Sequence, residues 1–386
     1  MNPELNTIVS QFDVTGTVTD IAPLGAGLIN DTYLVKTAEA DCPDYVLQRI
    51  NHHVFPDVDM VMRNIAAVTG HIRHKLEEQG ADDIDRRVLT FIRLKEDAQR
   101  LYTVVDGNYW RLMIFIPRTV TKQAVDPDSS RAAGLAFGNF QAMLADIAVP
   151  LGETIKDFHN MEFRLRQLRE VVKADPVGRV AEPEVQAMLR EIESRSVDMC
   201  KAERMGRENI LPKRVCHCDT KVNNMLFDEN DQVLCVIDLD TVMPNFIFSD
   251  FGDFLRTAAN MVAEDCPDMD RVAFRMDIFK AFTEGYLRSA GGFLLPVEVE
   301  NLPYATALFP YMQSVRFLWD YLSGDKYWKC QYPTHNFVRA NNQFHLLLSI
   351  EQHYEEMEAF IQNVMAGGDS STTAHRATGA EWIARK

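Results

Sequence analysis

The sequence carries little positive charge relative to its negative charge. It has 40 Lys and Arg against 56 Asp and Glu, a formal net charge of −16 at pH 7. Nucleic acids and anionic membranes are bound through basic stripes that neutralise phosphates, and no such stripe is visible. We therefore expect neither a nucleic-acid nor a membrane partner, and a small molecule becomes the favoured ligand.

Long hydrophobic runs are also lacking. No apolar run approaches the roughly 20 residues that a membrane span requires. The first residues, MNPELNTIVSQFDV, do not show the basic and then apolar order of a signal peptide. These absences predict a cytoplasmic protein, which we expect to be a monomer or a weak homo-oligomer.

Cysteine is too sparse and too scattered for a disulfide framework. The seven cysteines form an odd set, so reduced thiols are expected. Cys216 and Cys218 flank His217, which raises the alternative of a zinc site. Adjacent residues of a strand point to alternate faces, however, and cannot close a tetrahedral site unaided.

What the sequence does contain is a β-rich first part and a helical second part. Short β-type runs follow one another through the first hundred or so residues: TGTVTDIAPLG, DTYLVKT, DYVLQRIN, RVLTFIRL, LYTVVDG and YWRLMIFI. A helical stretch between Val58 and Glu78 interrupts them. Asp106 and Gly107 predict a tight hairpin turn, and Pro117 follows the last apolar run at the expected start of a hinge.

After about residue 130 the apolar period becomes helical. One β-type island, VCHC, MLF and VLCVID, lies among the helices, and the final segment AGGDSSTTAHRATGAEWIARK is expected to be disordered. We predict an α+β, bilobal fold, with an N-terminal lobe at 1–117, a C-terminal lobe at 118–365 and a tail at 366–386.

The chemistry is concentrated in HCDTKVNN and the VIDLD that follows it. These segments contain Asp219, Asn224 and Asp238, the residue types that an ATP-dependent kinase needs: one carboxylate to orient the attacking hydroxyl, and an amide and a carboxylate to hold Mg²⁺. Each residue alone could simply cap a turn. Asp238 and Asp240 nevertheless end an apolar strand together, which is costly unless a cation or hydrogen-bond donors lie between them.

The N-terminal part supplies candidate nucleotide contacts. Gly25 and Gly27 in LGAGLINDTYLV lie in a turn before a strand, where glycine lets the backbone approach phosphates, although a plain turn would look the same. Arg49 ends the next strand as a candidate cationic partner or a solvated charge. The adenine is expected near the backbone of Phe115 and Ile116, where ordinary strand pairing is the alternative.

Several stretches together resemble the aminoglycoside phosphotransferase and choline kinase superfamily, and most closely its N-acetylhexosamine 1-kinase branch. They are GAGLINDTYLV, VLQRINHHVFPDV, ETIKDFHN, HCDTKVNNMLFD, VIDLDTVMP, SDFGDFLR, VRFLWDYLSGDKYW and YPTHNFVRANNQ, spread from about residue 23 to residue 343. One departure is Cys218, where the superfamily usually has Gly or Asn; we interpret this change as sterically mild.

The resemblance implies a protein-kinase-like fold, ATP and Mg²⁺ as cosubstrates, and transfer to the anomeric hydroxyl of N-acetylglucosamine or N-acetylgalactosamine. It makes Asp219 the base and Asn224 and Asp238 the metal ligands. Asp240, which ends the same strand as Asp238, is a candidate for an outer metal shell. Arg316 and Tyr327 fall on positions that resemble sugar contacts.

Several alternatives remain open at this point. Arg316 could be a structural residue paired with Asp320, and Tyr327 a core residue. The acceptor could be choline or an aminoglycoside, and a nucleotide-binding pseudokinase is a further class.

Overall fold

A five-stranded antiparallel sheet dominates the first part of the chain. The computed structural model describes residues 3–25 and 29–367. The strands follow the order β1-β2-β3-β5-β4 across the sheet. Their bounds are Val18–Pro23 (β1), Asp31–Thr37 (β2), Tyr45–Ile50 (β3), Tyr102–Val105 (β4) and Asn108–Ile114 (β5).

Three helices accompany this sheet: Pro3–Val9 (α1), Val58–Glu78 (α2) and Ile84–Arg87 (α3). The side chain of Asp57 accepts a hydrogen bond from the Met60 amide at the start of α2, which satisfies one of its free N–H groups. The predicted helical stretch is confirmed with the same bounds. Asn64 of α2 donates to the main-chain oxygens of Gly152 (2.8 Å) and Val242 (2.9 Å), which ties this helix to the second part of the chain.

The predicted hairpin at Asp106 and Gly107 is confirmed. Both residues have positive φ, 49° and 74°, and they join the antiparallel strands β4 and β5. The expectation of a strand at RVLTFIRL was wrong. That segment makes only isolated bridges, from Phe91 to Met113 and from Leu94 to Phe12, because its contacts to neighbouring strands are too brief for a regular ladder.

Helices form most of the second part, as predicted. They are Pro127–Met143 (α4), Met161–Ala174 (α5), Pro183–Met199 (α6), Lys201–Arg207 (α7), Phe248–Ala258 (α8), Met276–Ala290 (α9), Pro296–Glu300 (α10), Leu302–Ser323 (α11), His335–Gln352 (α12) and Tyr354–Met365 (α13). Glycines let α4 and α9 pack closely: a Cβ at Gly134 would come within 2.1 Å of the Phe282 carbonyl oxygen.

The predicted β-type island consists of two small antiparallel pairs. Arg214–Cys216 (β6) pairs with Met243–Asn245 (β9), and Met225–Phe227 (β7) pairs with Val233–Val236 (β8). Two short 3-10 turns lie next to these strands. Val222–Asn224 precedes β7, and Leu239–Thr241, which contains Asp240, lies between β8 and β9.

The α+β, protein-kinase-like fold class is confirmed: the sheet ends at Ile114 and the helical part begins at Pro127. The lobe boundaries at 117 and 365 stay a prediction. Ala366 and Gly367 form a turn, and the rest of the predicted tail lies outside the described residues. Over the described ranges, no helix is long and apolar enough to cross a membrane.

Candidate active site

Asp219 lies between β6 and β7, in a loop whose neighbours engage its carboxylate. Lys221 Nζ lies 2.7 Å from Oδ1. Asn224 Nδ2 donates to Oδ2 (3.2 Å) and to the Asp219 main-chain oxygen (2.8 Å). Burial opposes the charge on Lys221, yet attraction from the Asp219 carboxylate raises the lysine pKa. Asp219 and Asn224, both predicted site residues, thus lie in contact. The sequence analysis did not consider Lys221.

A buried acid on α8 holds this loop in place. Both oxygens of Asp250 accept main-chain hydrogen bonds, from the amides of His217 (2.9 Å) and Cys218 (2.8 Å). Gln141 Nε2 adds a third donor at 2.8 Å, and the hydroxyl of Thr220 donates to the Asp250 main-chain oxygen at 2.7 Å. Burial raises the pKa of Asp250, and these donors offset part of that effect. The loop geometry therefore depends on a carboxylate that the sequence analysis did not single out.

The residue before the predicted base adopts an unusual backbone. Cys218 has φ +63°, the left-handed region that Gly and Asn tolerate better than other residues. Its thiol is buried with Cys216 and Met243. The interpretation of this substitution as sterically mild was wrong, because the position requires positive φ and not only a small side chain.

Asp238 presents a carboxylate with no hydrogen-bond donor of its own. It follows β8 with φ +60°, and its residue surface is exposed to solvent. Within residues 3–25 and 29–367, no side chain or amide donates to it. The surrounding protein removes part of the hydration of this carboxylate, and the charges of Asp240 and Asp219 add repulsion. Together these effects raise the pKa of Asp238 to about 6. An acid that is crowded by other acids and still lacks donors fits a cation.

Asn224 has its amide NH₂ committed to Asp219, and this leaves its side-chain oxygen without a donor among the described residues. An amide oxygen and a carboxylate are both ligands that Mg²⁺ accepts. The donor set of Asn224 and Asp238 therefore fits a magnesium ion whose remaining ligands come from phosphates and water.

Asp240, two residues further on, is in a different environment. It is 2% exposed and receives hydrogen bonds from Arg111 of β5 and from Asn30, which precedes β2. One donor from the sheet and one from the residue before β2 thus occupy both carboxylate oxygens. Arg111 was missed by the sequence analysis, although a charged residue within the apolar run YWRLMIFI was a usable signal.

The predicted nucleotide contacts are only partly brought together. Gly25 has φ +70° and open space around it, and Gly27 lies outside the described residues. The amide of Phe115 donates to the Asp44 carbonyl (2.9 Å), and the carbonyl of Ile116 accepts from the Thr119 hydroxyl (2.9 Å). These backbone groups are thus used by the protein itself, while the Phe115 carbonyl and the Ile116 amide have no partner among the described residues.

Arg49 is not brought to the other predicted site residues. Its side chain binds Asp31 with Nε 2.7 Å from the carboxylate, and it lies over the Trp110 ring. Side chains alternate along a strand, so Arg49 and its neighbour Gln48 face opposite sides of the sheet. Gln48 is the residue that contacts Arg111, 3.0 Å from its Nε.

Arg316 of α11 is a partly enclosed cation without an acidic partner. Its guanidinium lies over the rings of Phe158 (5.3 Å) and Trp328 (5.2 Å). Its Nη1 donates a hydrogen bond to the side-chain oxygen of Gln313 at 3.0 Å. No carboxylate among the described residues forms an ion pair with it. Burial lowers the pKa of Arg316, while the neighbouring Tyr327 counteracts this effect.

Tyr327 belongs to a loop that Asp320 organises. The Asp320 carboxylate accepts the amides of Lys326 (2.9 Å), Tyr327 (2.9 Å) and Trp328 (3.0 Å). Asp320 is therefore not the partner of Arg316, and Tyr327 is 55% exposed, so it is not a core residue.

His159 and Arg164 lie near this cation. The ring of His159 stacks on Phe158 and its Nδ1 lies 3.1 Å from the Ser249 hydroxyl. Burial is the main cause that lowers the pKa of His159 well below its ordinary value, and the positive charges of Arg316 and Arg164 lower it further. The ring is therefore neutral at pH 7. Burial and Arg316 together lower the pKa of Arg164 to about 9.

The chain thus combines a β-sheet with a helical part that carries Asp219 and Asn224 in one loop and Asp238 nearby. Residues 20–291 match the phosphotransferase enzyme family, which is more than half of the chain. The chain belongs to this family, and it is a phosphotransferase with a hydroxyl group as acceptor.

Solved structures agree on the fold. An aminoglycoside phosphotransferase from Alicyclobacillus acidocaldarius is 14% identical, with 91% of this chain and 96% of that chain covered and a TM-score of 0.56. An amicoumacin kinase in complex with AMP-PNP and Ca²⁺ is 10% identical, with 95% and 94% covered and a TM-score of 0.54. A choline kinase from Cryptosporidium parvum is 14% identical, with 94% and 97% covered and a TM-score of 0.54. At these identities the similarity concerns the fold.

Proposed function

We propose that this phosphotransferase is an ATP- and Mg²⁺-dependent anomeric kinase that converts N-acetylglucosamine or N-acetylgalactosamine to the 1-phosphate. The substrate assignment comes from the sequence resemblance, and the acceptor side of the site supports it. The observation that carries the proposal is Arg316, a cation held between two aromatic rings without an acidic partner.

In the proposed reaction Asp219 accepts a hydrogen bond from the C1 hydroxyl of the sugar and directs its oxygen at the γ-phosphorus. A bond forms between that oxygen and phosphorus while the bond from phosphorus to the ADP oxygen breaks, and the hydroxyl proton passes to Asp219. Because the transition state of phosphoryl transfer is loose, alignment contributes more than basicity. Lys221 and Asn224 hold the carboxylate in one orientation, which suits this task.

Asp238 and Asn224 would hold Mg²⁺, which would neutralise charge on the transferred phosphate. Gly25 and Gly27 would cover the phosphates, and the Phe115 carbonyl and the Ile116 amide would meet the adenine. Arg49 is left out of this proposal, since its side chain binds Asp31.

Arg316 and Tyr327 would bind the acceptor. A guanidinium offers several N–H donors in one plane, and sugar hydroxyls and an acetamido carbonyl are suitable acceptors for them. Gln313 accepts a hydrogen bond from one nitrogen of the Arg316 guanidinium, so its other N–H groups are available to a substrate. The exposed ring of Tyr327 adds a face for stacking against a sugar.

The same groups disfavour cationic acceptors. Choline recognition needs free aromatic faces around a quaternary ammonium, and Arg316 already covers Phe158 and Trp328. An aminoglycoside would bring further positive charge next to Arg316 and Arg164. Burial, and then repulsion from Arg316, already lowers the pKa of Arg164.

The test is a panel of acceptors with ADP release as the readout and phosphorus NMR of the product. We expect turnover with the two N-acetylhexosamines and an anomeric phosphate as the product. N-acetylglucosaminitol, which keeps the acetamido group but has no anomeric hydroxyl, is the matched control and should not be phosphorylated. Faster turnover of choline or an aminoglycoside, or nucleotide binding without turnover of any acceptor, would overturn the proposal.

A further inference from the structure

Asp240 connects the two parts of the molecule at the proposed nucleotide site. One oxygen, Oδ1, accepts a hydrogen bond from Arg111 of β5, and the other, Oδ2, accepts from Asn30 Nδ2 at 2.7 Å. All three residues are almost fully buried: Arg111 and Asp240 are 2% exposed and Asn30 is 8% exposed. This ion pair links residues 129 positions apart in the sequence.

On the sheet side the contacts continue to β3 and to the residue that follows it. Arg111 Nε donates to the Gln48 side-chain oxygen of β3 at 3.0 Å. The Asn30 side-chain oxygen accepts from the Asn51 amide at 2.9 Å. Asn30 lies shortly after Gly25, where the turn proposed to cover the phosphates begins. Asp240 therefore fixes Asn30, just before β2, as well as Arg111 in the sheet.

On the other side Asp240 is rigidly connected to the proposed metal ligand. Asp238 is separated from it only by Leu239, and the 3-10 turn Leu239–Thr241 contains Asp240 itself. The Thr241 hydroxyl donates to the His217 carbonyl at 2.7 Å, so this turn is also attached to the loop of Asp219. A displacement of Asp240 would consequently move the proposed metal ligand relative to the sheet.

Stability alone gives no reason for a buried pair at this position. Arg111 lies beside the Met62 sulfur and over the Phe91 ring, so its surroundings are largely apolar. Replacement of a buried ion pair by apolar residues of similar volume is often neutral or stabilising. A role in geometry is consistent with charged groups in this apolar position.

We propose that Asp240, Arg111 and Asn30 form a positioning network that sets the position of the five-stranded sheet, through Arg111 of β5 and through Asn30 before β2, relative to the metal-binding carboxylate of Asp238. Asp240 acts here through its donors and not as a metal ligand, which revises the outer-shell role expected from the sequence. The inference rests on the proposed function as a nucleotide-dependent kinase.

The experiment measures binding of AMP-PNP with Mg²⁺ by calorimetry, binding of Mn²⁺ by paramagnetic resonance, and the melting temperature. The variants are Arg111→Met, Asp240→Asn and the double variant Arg111→Met/Asp240→Leu. Arg73→Met is the matched control, because Arg73 lies on α2 in the same part of the fold and pairs with Asp85 at the surface, 2.8 Å away.

We expect each single variant to melt at lower temperature and to bind AMP-PNP at least about tenfold more weakly, since loss of one partner leaves the other buried and unpaired. The double variant should recover most of the melting temperature but not the nucleotide affinity. A purely structural pair would recover both. Arg73→Met should leave nucleotide binding unchanged, and Mn²⁺ stoichiometry should be the same in every variant.

Three results would overturn the network. They are a double variant that binds AMP-PNP as the wild type does, a loss of one Mn²⁺ in Asp240→Asn that Arg111→Met does not share, and single variants with unchanged nucleotide affinity. A wild-type protein that bound no nucleotide would instead overturn the proposed function, so the two failures are distinguishable.

Discussion

The loop around Asp219 and the acceptor side around Arg316 use their polar groups differently. In the loop, the Asp250 carboxylate and its three donors are all engaged with one another. On the acceptor side, Arg316 has aromatic neighbours, and no carboxylate among the described residues forms an ion pair with it. A satisfied network fixes geometry, whereas uncommitted donors can meet a ligand. The difference suggests that the loop carries the shared chemistry and the acceptor side the specificity.

The largest expected effect is on the loop. Asp219→Asn keeps the shape but removes the proton acceptor, and we expect kcat to fall roughly 1,000-fold, within the range for a general base. The melting temperature and AMP-PNP affinity should remain close to those of the wild type. Asp231→Asn, at an exposed residue that pairs with Lys122, is the control. A kcat within threefold or so of the wild type would remove Asp219 from the mechanism.

Asp250→Ala tests whether the hydrogen bonds of Asp250 stabilise the loop around Asp219. The substitution leaves the amides of His217 and Cys218 and the Gln141 side chain without their acceptor, so the free energy of unfolding should fall by about 3 kcal/mol. Urea unfolding measures this loss. Asp128→Ala, at a 95% exposed side chain, is the control and should change the value by less than about 0.5 kcal/mol. Equal effects of the two substitutions would contradict the account of the loop.

Glu203 of α7 is a buried acid outside the loop, and its titration can be followed through stability. One carboxylate oxygen accepts a hydrogen bond from the Met161 amide (2.5 Å), and the other has no donor within the described part of the chain. Burial raises the pKa of Glu203 from 4.5 to about 7. The folded state therefore holds this proton more tightly than the unfolded state. The penalty is absent below about pH 4.5, develops as the pH rises, and is complete above about pH 7. It amounts to about 3 kcal/mol at most.

Glu203→Gln should remove that pH dependence. The stability of the variant relative to the wild type should rise between about pH 4.5 and pH 7. Urea unfolding at each pH measures this difference. Glu193→Gln, at an exposed ion pair with Arg169, is the control. Parallel pH profiles for Glu203→Gln and the wild type would show that the buried acid titrates normally.

Arg316→Gln should weaken binding of the acceptor and leave binding of the nucleotide unchanged. We expect KM for the N-acetylhexosamine to rise about 30-fold, which corresponds to about 2 kcal/mol, with KM for ATP unchanged. Arg169→Gln, at a surface ion pair, serves as the control. A rise in both KM values would indicate that Arg316 supports the fold rather than the acceptor site.

The smallest expected effect concerns Cys218. Glycine relieves the positive φ of this residue by about 1 kcal/mol, which offsets the loss of the buried thiol, so Cys218→Gly should be nearly neutral. Cys216→Gly, in the extended strand of the same thiol cluster, should destabilise by about 1 kcal/mol more. Equal losses at the two positions would show that the backbone at Cys218 is unstrained.

Local signals explain what the sequence could predict. The helical stretch from Val58 to Glu78 and the hairpin at the Asp-Gly pair were both predicted. Asp219 and Asn224 were predicted for one catalytic loop, and their short spacing brings them into contact there. Each of these features depends on residues that are close in the sequence.

Long-range contacts explain what could not be predicted. Arg111 meets Asp240 only because the folded sheet brings them together. Gln48 and Arg49 differ by one position, and the register of β3 alone decides which of them faces Arg111. The positive φ of Cys218 is imposed by the Asp250 hydrogen bonds to its own amide and to that of His217, which the local sequence does not contain.

The most direct test of the central claim follows the attacking oxygen. N-acetylglucosamine carrying oxygen-18 at C1 is incubated briefly with the enzyme, ATP and Mg²⁺, and the product is examined by phosphorus NMR for the isotope shift of a bridging oxygen. The account predicts that the heavy oxygen remains between C1 and phosphorus. A phosphate attached through an unlabelled oxygen, or no phosphorylated sugar at all, would contradict it.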